Sequence, residues 1–130
     1  MCRVVQFSMA AIIAVFFVAL SFQGARADEK KTFPALETSA GSSAQMHNSA
    51  GIKEYDAGKW AEAEKHFSEA VKADEKSAEA HYNLALSLDK LGKHKEATHE
   101  FDQALKLAPN NPAIADSEIL KKHLARMKKE

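Results

Sequence analysis

From Ala44 onward, apolar and small residues recur every three or four positions, and charged residues fill the positions between them. That spacing collects the apolar side chains on one face of an α-helix, which turns about once every 3.6 residues. The pattern predicts helices near 44–57, 60–73, 78–91 and 94–107, and a fifth from about 112 to 128. Gly58 and Gly92 follow the first and third of these, where a residue that accepts positive φ suits the end of a helix. Ser77 stands where the third helix needs a capping side chain. Asn111-Pro112 joins a capping side chain to a ring that fits the first helical turn. The basic last turn of the fifth helix complements the negative end of its dipole.

The residues before Ala44 have two other textures. Residues 28–43 contain Pro34, Gly41 and several Ser and Thr without helical period, and are read as a flexible linker. Met9 to Leu20 is an unbroken apolar run, preceded by Arg3 and followed by Ala25-Arg26-Ala27. Charge, apolar run and a small-x-small site, in that order, form the secretory pattern. The run is short for a membrane span, which needs roughly 20 residues. Residues 1–27 are therefore expected to be a signal peptide cleaved near Ala27, which would leave the chain periplasmic or secreted. The alternative is an uncleaved segment anchoring the chain to the inner membrane.

The helical part repeats itself. Shifting the sequence by 34 residues aligns 44–77 with 78–111, and nine of the 34 pairs are identical. They are Ala44/Ala78, His47/His81, Gly58/Gly92, Lys59/Lys93, Glu62/Glu96, Ala63/Ala97, Phe67/Phe101, Ala70/Ala104 and Lys72/Lys106. Ala63, Phe67 and Ala70 fall on one face of the second helix, as Ala97, Phe101 and Ala104 do on the fourth. The alanines let a neighbouring helix approach closely and the phenylalanine fills the space beside them.

This stripe, with small residues at Gly51 and Ala85, Leu84, and Pro109 followed by Asn110-Asn111, resembles the tetratricopeptide repeat family. Two copies in register carry the resemblance over 44–111, and the helix after 112 is similar to the family's capping helix, here with a basic tail to residue 130. Some residues depart from the family pattern. His47 and His81 replace a large aromatic, Glu75 replaces Pro, and Ala50 replaces Leu, thinning the first helix. The resemblance implies an all-α fold of tandem antiparallel helix–turn–helix repeats, an α-solenoid closed by a C-terminal helix. It also implies a concave groove lined by the first helix of each pair, at Gln45, Asn48, Ile52, Tyr55 and Asp56, then Glu79, Tyr82, Asn83, Leu86, Asp89 and Lys90. Tyr55, Tyr82, Ile52 and Leu86 would form its floor, and Asn48, Asn83, Glu79 and Asp89 polar grips. The family's carboxylate-clamp subtype places Lys and Asn where this chain has Asn48 and Ile52, and basic residues where it has Ala113 and Ser117. Only Asn83 fits, so that subtype is not expected. The groove suits a peptide or a helix, unless the fifth helix itself lies in it.

Charge and chemistry narrow the picture further. The chain has 18 basic and 18 acidic residues; loss of Arg3 and Arg26 with a signal leaves a net charge of −2. That gives no steering toward nucleic acid. Residues 121–130 hold five basic residues against Glu130 alone. Cys2 is the sole cysteine and precedes the apolar run, so the mature chain has no disulfide or thiolate ligand. Six histidines raise the question of a metal. His94 and His99 do not share a helical face, His47 and His81 occupy equivalent packing positions, and His66 pairs at helix spacing with Glu62. Trp60, at a turn, reads as a structural contact. Neither a triad nor a phosphate loop is recognisable. No enzyme activity, cofactor or metal is expected. The reading is a protein-binding scaffold or adaptor of the bacterial cell envelope. The alternative is a self-associating or membrane-tethered structural spacer, suggested by the small number of repeats and the basic tail.

Overall fold

The computed structural model describes residues 34–38 and 42–129; the expected signal at 1–27 lies outside the described residues. These residues form six helices: α1 (Ser42–Asp56), α2 (Trp60–Ala73), α3 (Ala78–Lys90), α4 (His94–Leu107), α5 (Pro112–Ala115) and α6 (Glu118–Met127). Among the described residues there is no strand. No helix among them is long and apolar enough to cross a membrane.

Helices α1 and α2 form one hairpin, and α3 and α4 form the next. The two turns between hairpin arms are built alike. Gly58 and Gly92 sit at φ +76° and +78°. The Gly58 N–H donates to the Tyr55 carbonyl at 3.0 Å and the Lys59 N–H to the Glu54 carbonyl at 2.9 Å. Gly92 and Lys93 repeat this onto Asp89 and Leu88 at 3.0 and 2.9 Å. This paired closure uses up carbonyls that the helix end leaves without partners, and it needs a left-handed residue that glycine supplies at little steric cost. Ser77 caps α3, its hydroxyl accepting the Ala80 N–H at 3.2 Å. Asn111 caps α5 by accepting the Ala113 N–H at 3.1 Å, with Pro112 following.

The repeated stripe forms the core. Ala63, Phe67 and Ala70 in α2, and Ala97, Phe101 and Ala104 in α4, are fully buried. Helix α3 contacts α1, α2 and α4, and accordingly every residue from Tyr82 to Leu88 is buried. Gly51 in α1 lies against Phe67. A Cβ added there would stand 2.5 Å from the ring's Cε1, so the small residue fixes how closely α1 and α2 approach. Gly51→Ala is therefore expected to destabilise the protein by up to about 2 kcal/mol. Overpacking costs about 1–3 kcal/mol, offset by about 1 kcal/mol of better helix propensity. Urea unfolding measures the difference; a stabilised variant would show that the contact is loose.

The expected fifth helix is two. The chain breaks at Asp116 and Ser117, where Ser117 takes extended backbone angles and begins α6 without a side-chain capping bond. Its hydroxyl instead meets the Tyr82 hydroxyl at 2.8 Å. A tertiary bond to α3 thus takes the group that would otherwise cap the helix locally. The break lets Ile114 on α5, and Ile119, Leu120 and His123 on α6, all reach the core. Helix α6 packs on α4.

Candidate functional site

The groove side of α1 and α3 holds part of the chain itself. Residues 34–38 belong to no helix and lie against it, held through Leu36. The amide of Asn83 pairs with both polar groups of Leu36: the Leu36 N–H donates to Asn83 Oδ1 at 2.6 Å, and Asn83 Nδ2 donates to the Leu36 carbonyl at 2.5 Å. Asn48 Nδ2 donates to the same carbonyl at 2.9 Å, and Asn83 Nδ2 also donates to Asn48 Oδ1 at 2.7 Å. Both asparagines are 0 % exposed. A buried amide without partners is costly, and each of these is satisfied by the other and by the backbone of one residue, Leu36. The pairing is what a neighbouring β-strand would offer, so it reads backbone rather than side chain. Ala35 and Leu36 pack on the core. At the exposed edge, the Ser49 hydroxyl of α1 donates to Glu37 Oε2 at 3.5 Å. Beyond Pro34 and Leu36 the groove continues as a cleft of about 240 Å³ reaching Tyr82, Pro112, Ala113, Asp116 and Ser117.

The other residues expected to line the groove divide. Gln45 and Asp56 are exposed, and Ile52 is half-buried. Tyr55 and Tyr82 are buried rather than open to a ligand: Tyr55 lies edge-on to Trp60 at 4.9 Å between centroids, and Tyr82 edge-on to Phe101 at 5.5 Å. Burial pushes both phenols above their ordinary range, and at Tyr82 the Ser117 hydrogen bond opposes the shift. The Tyr55 hydroxyl and the Thr38 hydroxyl are buried with no partner among the described residues. Leu86 is fully buried. Asn111 Nδ2 donates to Glu79 Oε1 at 3.3 Å. Lys90 Nζ lies 5.5 Å from the Trp60 ring centroid, which makes Trp60 a structural contact. Asp89 turns away to His94 and His123, with Oδ1 at 3.0 and 2.9 Å from their ring nitrogens. The helices after 112 pack against α4, so the middle of the groove is covered by 34–38 and only its Tyr82 end is touched by Ser117.

Sequence reasoning placed Asn48 and Asn83 in the groove but missed their mutual bond and the segment they hold. Two amides on an otherwise apolar surface were the available signal, because buried amides must find partners.

His81 is held by α4. Its Nδ1 lies 2.6 Å from Glu100 Oε2 and its Nε2 3.0 Å from the Glu75 carbonyl. The Glu100 hydrogen bond raises the imidazole above its ordinary 6.5, with burial opposing. A raised native value means that the stabilisation is fully present below the unfolded value and is lost as pH rises through the native one. Thermal unfolding of wild type and His81→Gln should therefore differ most at about pH 6 and converge toward about pH 9. A gap that widens with pH would contradict the pairing.

Paired helices stacked side by side, with a groove lined by the first helix of each pair, define an α-solenoid. The tetratricopeptide repeat family model matches residues 49–112, from within α1 to the first residue of α5, and the chain is a tetratricopeptide repeat protein. Repeats of this family generally mediate protein–protein interaction. No curated protein matches the chain significantly.

Proposed function

We propose that this chain is a non-catalytic adaptor of the cell envelope whose α1/α3 groove takes an extended peptide with a leucine-sized apolar side chain. Its own residues 34–38 occupy the groove until a partner displaces them. One observation carries the reading: Asn48 and Asn83 already hold the backbone of Leu36 by both its N–H and its C=O. Backbone hydrogen bonds supply affinity in such modes, and the side-chain pockets supply specificity. Because the segment is tethered, its effective concentration is of order millimolar. Only a partner that matches the groove better competes well. The envelope location is supported by the secretory pattern at residues 1–27.

A fluorescent peptide with the sequence of residues 32–40 tests the reading on the full chain. Leu36→Asp, which weakens the tethered segment, is expected to bind the peptide more tightly than wild type does. Adding Asn48→Ala and Asn83→Ala to that variant should remove binding. Equal binding by all three would exclude the groove. Cell fractionation that finds the chain only in the cytoplasm would remove the envelope part.

A further inference from the structure

A second cluster lies at the far end of α3. Asp89 near the end of α3, His94 at the start of α4 and His123 in α6 bring three ligand atoms together, all within 4.8 Å of one another. Asp89 Oδ1 is 3.0 Å from His94 Nδ1 and 2.9 Å from His123 Nε2. The Gly92 turn brings Asp89 and His94 together, and the break at Ser117 lets α6 present His123. Behind the cluster, His123 Nδ1 lies 2.8 Å from the Thr98 hydroxyl, which in turn lies 2.7 Å from the His94 carbonyl.

The Thr98 hydroxyl sits between the His94 carbonyl and His123 Nδ1. When it donates to the carbonyl it accepts from His123 Nδ1–H, and a neutral imidazole then turns the lone pair of Nε2 toward Asp89. In that tautomer Nε2 joins Asp89 Oδ1 and His94 Nδ1 as a set of three converging ligand atoms, beside a His123 ring that is 1 % exposed. In the other tautomer Nε2–H donates to Asp89 Oδ1 at 2.9 Å, and a metal ion would displace that proton.

We propose that Asp89, His94 and His123 form a zinc site with an open fourth position. Two imidazole nitrogens and one carboxylate oxygen suit zinc, and three protein ligands with one free position form an open tetrahedral site. Ligand atoms about 2.0–2.1 Å from a tetrahedral ion stand about 3.3–3.4 Å apart; Asp89 Oδ1 is within a few tenths of an ångström of that spacing from each nitrogen, and all three atoms lie within 4.8 Å of one another. Thr98 is the outer partner that fixes the His123 tautomer, as metal-bound histidines require. The free position faces solvent past His94, whose side chain is 55 % exposed. A cleft of about 160 Å³ lined by His94, Lys95, Thr98, Arg126 and Met127 adjoins it. The ion would join the ends of α3, α4 and α6, and so would pin the terminal helix to the second repeat.

Zinc titration of the tag-free full chain, by calorimetry and by cobalt substitution followed in the visible spectrum, tests this. One ion per chain with a tetrahedral cobalt spectrum is expected, together with a higher melting temperature. Thr98→Val should weaken binding by roughly 10–100-fold. Asp89→Asn and the exposed-site variant His94→Ala should weaken it more, with circular dichroism confirming that each is folded. The other near pair of rings, His47 and His66, has centroids 6.3 Å apart, and a His47→Ala/His66→Ala variant should bind zinc like wild type. Absence of stoichiometric binding, or binding lost in the His47/His66 variant and kept in His94→Ala, overturns the proposal.

Discussion

Phe101→Ala is expected to lower the unfolding free energy by about 3–5 kcal/mol. The ring is fully buried and bridges three helices: its own α4, Tyr82 of α3 at 5.5 Å and His123 of α6 at 5.2 Å between centroids. Its neighbours along the stripe, Ala97 and Ala104, are methyl groups already in contact with the facing helix. They have nothing to extend into the space, so the cavity stays open and the cost falls at the upper end for such truncations. A domain of this size has a total stability on the order of 5–15 kcal/mol, and a loss of this size removes a large part of it. Urea unfolding followed by circular dichroism is the measurement. Phe101→Leu should lose much less, because it refills most of the space. A cost below about 1 kcal/mol for the alanine variant would mean that the site collapses freely.

Asn83→Ala is expected to act locally and to abolish the grip on residues 34–38. It strands the Leu36 N–H and Asn48 Oδ1, each costing about 1–3 kcal/mol if it stays buried and unpaired. The segment has an escape that the core lacks: residues 34–38 can leave the groove and hydrate. The loss in global stability is therefore bounded at about 1–3 kcal/mol, while the protection of residue 36 disappears. Amide hydrogen exchange separates the two. The Leu36 amide should exchange freely in the variant, and the amides of α4 should keep most of their protection. Asn83→Asp should release the segment too, because a carboxylate accepts from the Leu36 N–H but faces its carbonyl without a proton. Unchanged protection at Leu36 in both variants would remove the clamp.

The helices were legible because their ends carry local chemistry. Gly58, Gly92, Ser77 and Asn111-Pro112 mark boundaries through backbone angles and capping bonds that involve only their own neighbours. The core stripe was legible because the 34-residue period writes it twice. What the sequence did not reveal depends on contacts between distant residues. The break after α5 rests on Ser117 meeting Tyr82, 35 positions away. The packed run at 34–38 has no periodicity, since a short non-helical segment held by two side-chain amides needs no pattern of its own. Tyr82, expected on the groove floor, turns inward because α3 is enclosed by its neighbours, and a heptad-scale pattern does not distinguish a helix with one buried face from one buried nearly all round; Tyr55 of α1 turns inward onto Trp60 and Phe67 of α2. His94 and His123 are 29 residues apart, and only the kink before α6 brings both to Asp89.

The tethered segment also sets a speed. A partner arriving at the groove finds it filled, and must wait for Leu36 to detach before the two amides are free. Its observed association rate should rise with concentration and then level off at the rate at which the segment detaches. Without the Leu36 side chain to seat it, as in Leu36→Asp, the rate should climb in proportion to concentration. Stopped-flow mixing of the two proteins with the same peptide would reveal that plateau. In this protein the stretch before the first repeat would then act as a clock for capture.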